Sequence, residues 1–140
     1  MRKTLVAIVG FTIVTLSSCN SVPGASPPGN RKTTASQSVV SGEQIRLGAA
    51  YSISQSCTSN GVPTTKVIKA PAHGRVEFKR ERVNPPATGN FEKCSARKIE
   101  SLVAYYTAAS GYSGKDTILV RVLYDDGHYV ENTINITVIE

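Results

Sequence analysis

Little in this chain of 140 residues points to catalysis, metal binding or membrane crossing. It has two histidines and three cysteines but no C-x-x-C or H-x-x-x-H spacing, so the ligand sets of the common zinc sites are missing. No G-x-S-x-G elbow occurs. Ser95-Ala96-Arg97-Lys98 has the S-x-x-K spacing but lacks the S-D-N and K-T-G companions. Gly111 to Lys115 echoes the end of a phosphate loop, yet the earlier glycine is absent and Asp116 stands where Ser or Thr is needed. Asp125 and Asp126 are adjacent carboxylates, too few oxygens on their own for calcium. The sequence thus predicts no catalytic residue, no metal and no cofactor. Apolar residues nowhere keep the three-and-four spacing of an amphipathic helix over ~10 positions. There is no internal repeat. The apolar stretch Leu5–Leu16, broken by Gly10, Thr12 and Thr15, falls short of the ~20 residues that cross a bilayer.

What is present begins at the N-terminus. Met1-Arg2-Lys3 gives that stretch a positive start, and Leu16-Ser17-Ser18-Cys19 closes it with small residues, the plan of a secretory signal over residues 1–18. The ending resembles a bacterial lipobox. The resemblance implies that Cys19 is acylated and becomes the mature N-terminus; the alternative is an ordinary secretory signal with Cys19 a bystander. Asn20 follows, not the Asp that in many such lipoproteins marks retention at the inner membrane, which implies the outer membrane of a cell envelope. Several acyl chains anchor a protein stably where one holds it marginally.

Residues 19–43 are rich in Ser, Pro, Gly, Thr and Gln. Pro23, Pro27 and Pro28, with Gly24 and Gly29, exclude regular helix or central strand, so this segment is predicted to be a lipidated, disordered tether. With Cys19 consumed, Cys57 and Cys94 remain to pair in an oxidising compartment. That bond would close a loop of about 38 residues and contribute roughly 4 kcal/mol. The other possibility is two free buried thiols.

From Gln44 the hydrophobic period becomes two. Ile118, Val120, Val122 and Tyr124 share one face of a strand over Thr117–Tyr124, and Asp125-Asp126-Gly127-His128 supplies a hairpin turn. The return strand, Tyr129 to Ile139, alternates Ile134, Ile136 and Val138 with Thr133, Asn135 and Thr137. Shorter strands are expected at Gln44–Leu47 and Ala50–Ser54, separated by Gly48, and at Thr64–Ala70, Arg75–Lys79 and Ile99–Thr107. Pro71 to Gly74 makes a turn and Asn84 to Asn90 a loop. Short strands with close turn signals predict an all-β sandwich over residues 44–140.

The run Tyr105 to Thr117, with its Gly111-Tyr112-Ser113-Gly114-Lys115-Asp116 corner, resembles bacterial cadherin-like and Ig-like repeat domains, as does Pro71-Ala72-His73-Gly74-Arg75-Val76. The resemblance implies an antiparallel β-sandwich of about seven strands. Beside the resemblance, the residues themselves predict an architectural corner: Gly111 and Gly114 allow a tight turn, the Tyr112 hydroxyl can bond to nearby backbone and Asp116 can accept from corner amides. The acidic strings that hold calcium between cadherin repeats are missing, and the chain has one copy of a domain that usually comes in tandem.

Charge placement is the remaining signal. Nine basic residues stand between Lys66 and Lys98 against three acidic ones, while residues 99–140 carry two basic and six acidic. Lys79, Arg80, Arg82, Lys93, Arg97 and Lys98 are the candidate binding residues, on one positive edge. Such an edge attracts anionic polymers and also discourages strand-to-strand aggregation. His73 and His128 read as solvated turn residues. The expected role is a non-catalytic binding module, held to a membrane by lipid and meeting another envelope protein. The alternatives are a binder of anionic envelope glycans or a small enzyme inhibitor. No nucleic-acid partner is expected.

Overall fold

Residues 30–140 are described by a computed structural model. The expected signal segment 1–18, the expected lipid attachment at Cys19 and the expected tether up to Gly29 lie outside the described residues. Seven strands follow: β1 Arg31–Val40, β2 Gln44–Ala50, β3 Thr64–Lys69, β4 Gly74–Val83, β5 Ile99–Ala108, β6 Gly114–Leu123 and β7 Tyr129–Ile139, with a 3-10 helix over Gly89–Ala96 before β5. They build two sheets, ordered β1-β7-β6-β3 and β2-β5-β4. This is the connectivity of an immunoglobulin-like sandwich, with the second, fifth and fourth strands facing the third, sixth and seventh.

Two expectations are corrected. Residues 31–43 do not belong to a tether: Arg31–Val40 is a full strand whose ten residues pair with Val130–Ile139. That pairing is parallel, so the sandwich is not wholly antiparallel. Ser, Thr and Gln on β1 carry no apolar alternation, and Val39 is its one buried side chain. Its place comes from the free edge of β7. The second correction concerns Gly48, which does not separate two strands. It lies inside β2, beyond a bulge between Arg46 and Gly48; of the expected strand Ala50–Ser54, Ala50 ends β2 and Ile53 forms an isolated bridge with Ser59.

The core lies where inward faces meet. Tyr106 of β5, Ile118 of β6 and Ile136 of β7 have no exposed surface, and Val39, Val120, Ile134 and Val138 pack with them. Complete burial of such side chains contributes ~1.5–3 kcal/mol each relative to exposure. Tyr106 brings a hydroxyl into this core, which requires a partner. Asp116, itself 5% exposed, accepts from that hydroxyl at 2.9 Å, from the amides of Ala72 and His73 at 2.8 Å each, and from the Thr117 amide at 2.9 Å. Burial alone would raise the Asp116 pKa. The three amides and the Tyr106 hydroxyl outweigh it and hold the carboxyl below its ordinary value. Burial, with the Asp116 bond, pushes the Tyr106 phenol well above its own. Asp116 therefore fastens the β3–β4 turn to the start of β6. Beside it the Tyr112 hydroxyl donates to the Lys115 carbonyl at 2.8 Å, and His73 stacks on the Tyr112 ring with centroids 3.9 Å apart.

Candidate functional site

At the end of the sandwich away from Asp116, three connections converge. Ala50 pairs with Leu102 and Val83 with Ile99, so the segments 51–63 and 84–98 leave sheet β2-β5-β4 at one end. Thr64 pairs with Leu123, placing 51–63 also beside the β6–β7 turn, where Gly61 lies against the Asp125 carboxylate. Arg31 pairs with Val130, and Asn30 accepts from the Tyr129 amide at 3.4 Å. The chain therefore enters the sandwich at this same end.

The Cys57–Cys94 disulfide ties two of the connections, with Cα atoms 5.2 Å apart. Cys94 sits on the 3-10 helix with no exposed surface, and Cys57 adopts a positive φ of 62°, unusual for a residue with a Cβ. Side chains reinforce the staple: Asn84 donates to the Ser95 carbonyl at 2.9 Å and the Ser95 hydroxyl to the Ala87 carbonyl at 3.0 Å. The connections also cover part of β5. Ile99, Ser101 and Val103 are buried, yet they alternate with Leu102, Ala104 and Tyr106, which face the other sheet. Their cover therefore comes from the connecting segments.

This end gathers some of the candidate cations and separates others. Arg82, Arg97 and Lys98 line one open groove of about 580 Å³, together with Thr58, Ser59 and Glu100 against the disulfide. Arg82 donates to the Lys98 carbonyl at 3.1 Å, which aligns the two chains. Among the described residues, none of the three cations forms an ion pair within 4.0 Å. Arg80 lines a smaller neighbouring hollow with Arg82 and Glu100. Lys79 faces the opposite side of β4, its ammonium 5.1 Å from the centre of the Tyr105 ring, and Lys93 is exposed on the 3-10 helix. β4 is an edge strand carrying Arg75, Lys79, Arg80 and Arg82 against Glu77 and Glu81, and alternation splits its cations between two faces.

The histidines stand at turns as expected, His73 exposed and His128 partly so, but each is also packed against an aromatic ring. His73 stacks on Tyr112; His128 stacks on Tyr124 with centroids 4.3 Å apart and pairs with Asp126. The sequence reading also missed Thr58 and Ser59, which the disulfide carries to the groove. Among the described residues no three of His, Cys, Asp or Glu converge on a metal-sized position. The arrangement offers positive charge and hydroxyl donors, the chemistry of anion recognition.

No family model matches the chain, and no curated protein does. Two solved structures are similar in outline. Amebosin, in solution, is 14% identical with a TM-score of 0.38, the match covering 81% of this chain and 100% of that one. PbICP-C, solved in complex with falcipain-2, is 14% identical with a TM-score of 0.40, the match covering 83% of this chain and 95% of that one. At these values the likeness assigns no function.

Proposed function

We infer that the chain is an envelope lipoprotein, anchored through acylated Cys19, whose disulfide-stapled loop end is a non-catalytic binding surface for an anionic partner. The observation that carries this reading is the groove of Arg82, Arg97 and Lys98, free of ion pairs among the described residues and located where the chain enters the fold. Ten residues separate Cys19 from Asn30, a length that spans at most ~36 Å fully extended. A membrane-held Cys19 thus keeps the groove close to the lipid surface and its phosphate- and carboxylate-bearing glycans. Positive potential there raises encounter rates with such polymers. The groove supports an anionic envelope glycan as partner more directly than it supports a particular protein.

Two measurements test the reading. Labelled fatty acid should enter the wild type and not Cys19→Ser. Envelope glycan should retain the wild type at low salt and release it at high salt, since exposed charges are screened beyond ~8–10 Å near physiological ionic strength. The triple change of Arg82, Arg97 and Lys98 to Gln should abolish retention while lowering the melting temperature by no more than a few degrees, since the one bond lost, from Arg82 to the Lys98 carbonyl, is exposed. Salt-resistant capture of one protein in stoichiometric amount, untouched by the triple change, would replace the glycan reading with that of an inhibitor or assembly partner.

A further inference from the structure

A second concavity lies between the sheets, distinct from the cationic groove. Protein interiors contain few voids larger than a water molecule. Here a cleft of about 220 Å³, partly open to solvent, lies between the sheets; the ~150 Å³ apolar cavity that admits benzene is smaller, though closed. Its cause is local. Gly48 and Ala50 on β2, opposite Ala104 and Leu102 of β5, are small where larger side chains would close the sandwich, so Leu102 and Ala104 remain only half-buried although they face inward. Val120, Val122 and Ile134 form the opposing wall. The neighbouring half of the same interface, around Tyr106, Ile118 and Ile136, is fully closed.

The lining is apolar at depth and charged at one edge. Arg31 lines the cleft, is exposed, and forms no ion pair among the described residues. Tyr124 lines it too; burial raises its phenol pKa while the charge of Arg31 acts in the opposite direction, as expected of neighbours. Thr33 donates to Asn132 at 2.5 Å on the same wall as Arg31, adding polar atoms there. An apolar interior with one convergent cation is the usual composition of a small-molecule site. The geometry points to the cleft as a binding site for a single-tailed anionic amphiphile, an alkyl carboxylate whose tail lies between the sheets and whose head meets Arg31.

The test uses the full chain carrying Cys19→Ser, which needs no competing detergent, with octanoate as the probe and octanol as its neutral counterpart. Titration calorimetry should give one octanoate per chain, with a negative heat-capacity change from apolar burial. Ala104→Leu fills the cleft and should weaken octanoate at least tenfold while holding or raising the melting temperature, so lost binding cannot be misfolding. Arg31→Gln, at an exposed position, should weaken octanoate about fivefold, or ~1 kcal/mol, and leave octanol unchanged. The inference is overturned if octanoate does not saturate in the millimolar range, if octanol binds the wild type as tightly, or if a stable Ala104→Leu variant binds as the wild type does. The cationic groove is untouched by both substitutions, so failure here leaves the glycan reading standing.

Discussion

Replacing Asp116 should be among the most damaging single changes, and its size follows from the four donors that meet the carboxylate. Asp116→Ala leaves the amides of Ala72, His73 and Thr117 without this acceptor and the Tyr106 hydroxyl with only the His73 carbonyl, 3.1 Å away. Hydrogen bonds to a charged group contribute ~1.5–3 kcal/mol each, though not additively, and a buried donor left unpaired costs ~1–3 kcal/mol. Ala72 and His73 are exposed, so water relieves part of the loss. We expect about 3–5 kcal/mol for Asp116→Ala, which lowers the melting temperature by at least roughly 12 °C in a domain of this size. Tyr106→Phe, which removes one donor and the core's polar atom together, should cost about 1–2 kcal/mol.

The pH dependence separates the carboxylate's charge from its shape. The folded-state pKa of Asp116 is depressed, so its contribution is complete above the unfolded value of about 3.9 and is lost as pH falls through the folded value. Wild type should lose stability steeply below about pH 4. Asp116→Asn, already weakened at neutral pH, should show a shallower loss over the same range. Urea unfolding followed by circular dichroism at neutral and acid pH reads both effects, the chain having no tryptophan. If Asp116→Asn stays within about 0.5 kcal/mol of wild type at neutral pH, or if the acid slopes coincide, the account of this corner is wrong.

Two further outcomes follow from the packing. Cys57→Ser with Cys94→Ser should lose roughly 4 kcal/mol by the loop-closure argument, and intact mass should rise by two hydrogens when the wild type is reduced; a loss under about 1 kcal/mol would mean the 51–63 and 84–98 connections hold each other without the bond. Gly74→Ala places a Cβ 2.5 Å from the Tyr106 ring and the Thr107 carbonyl oxygen, so it should destabilise by about 1–3 kcal/mol through overpacking. A Gly74→Ala variant that unfolds at wild-type urea concentration would show that both the Tyr106 ring and the backbone at Thr107 can give way.

The β6–β7 hairpin was legible in the chain because local chemistry and alternation agree: Gly127 takes φ 85° in the turn, and Ile118, Val120 and Val122 fall on one buried face. β1 was illegible for the opposite reason. Its composition is polar, and what orders it is a partner about 100 positions away. The Cys57–Cys94 bond could be anticipated by counting, since acylation of Cys19 would leave two thiols. The groove could be only half seen. Charge counting found Arg82, Arg97 and Lys98, but assigning Lys79 to another face needed the strand's phase. The inter-sheet cleft left the weakest trace, because Gly48 and Ala50 signal nothing until the opposite wall is in place.

The parallel pairing of β1 with β7 has a mechanical consequence. The strand that begins the fold and the strand that ends it lie side by side and point the same way, so Arg31 and Ile139 sit at opposite poles. A pull between those poles runs along both strands and stresses all ten rungs of the ladder at once, in shear, instead of peeling them one by one. A domain held by its leading strand against drag on its far side would resist as a whole and then yield abruptly.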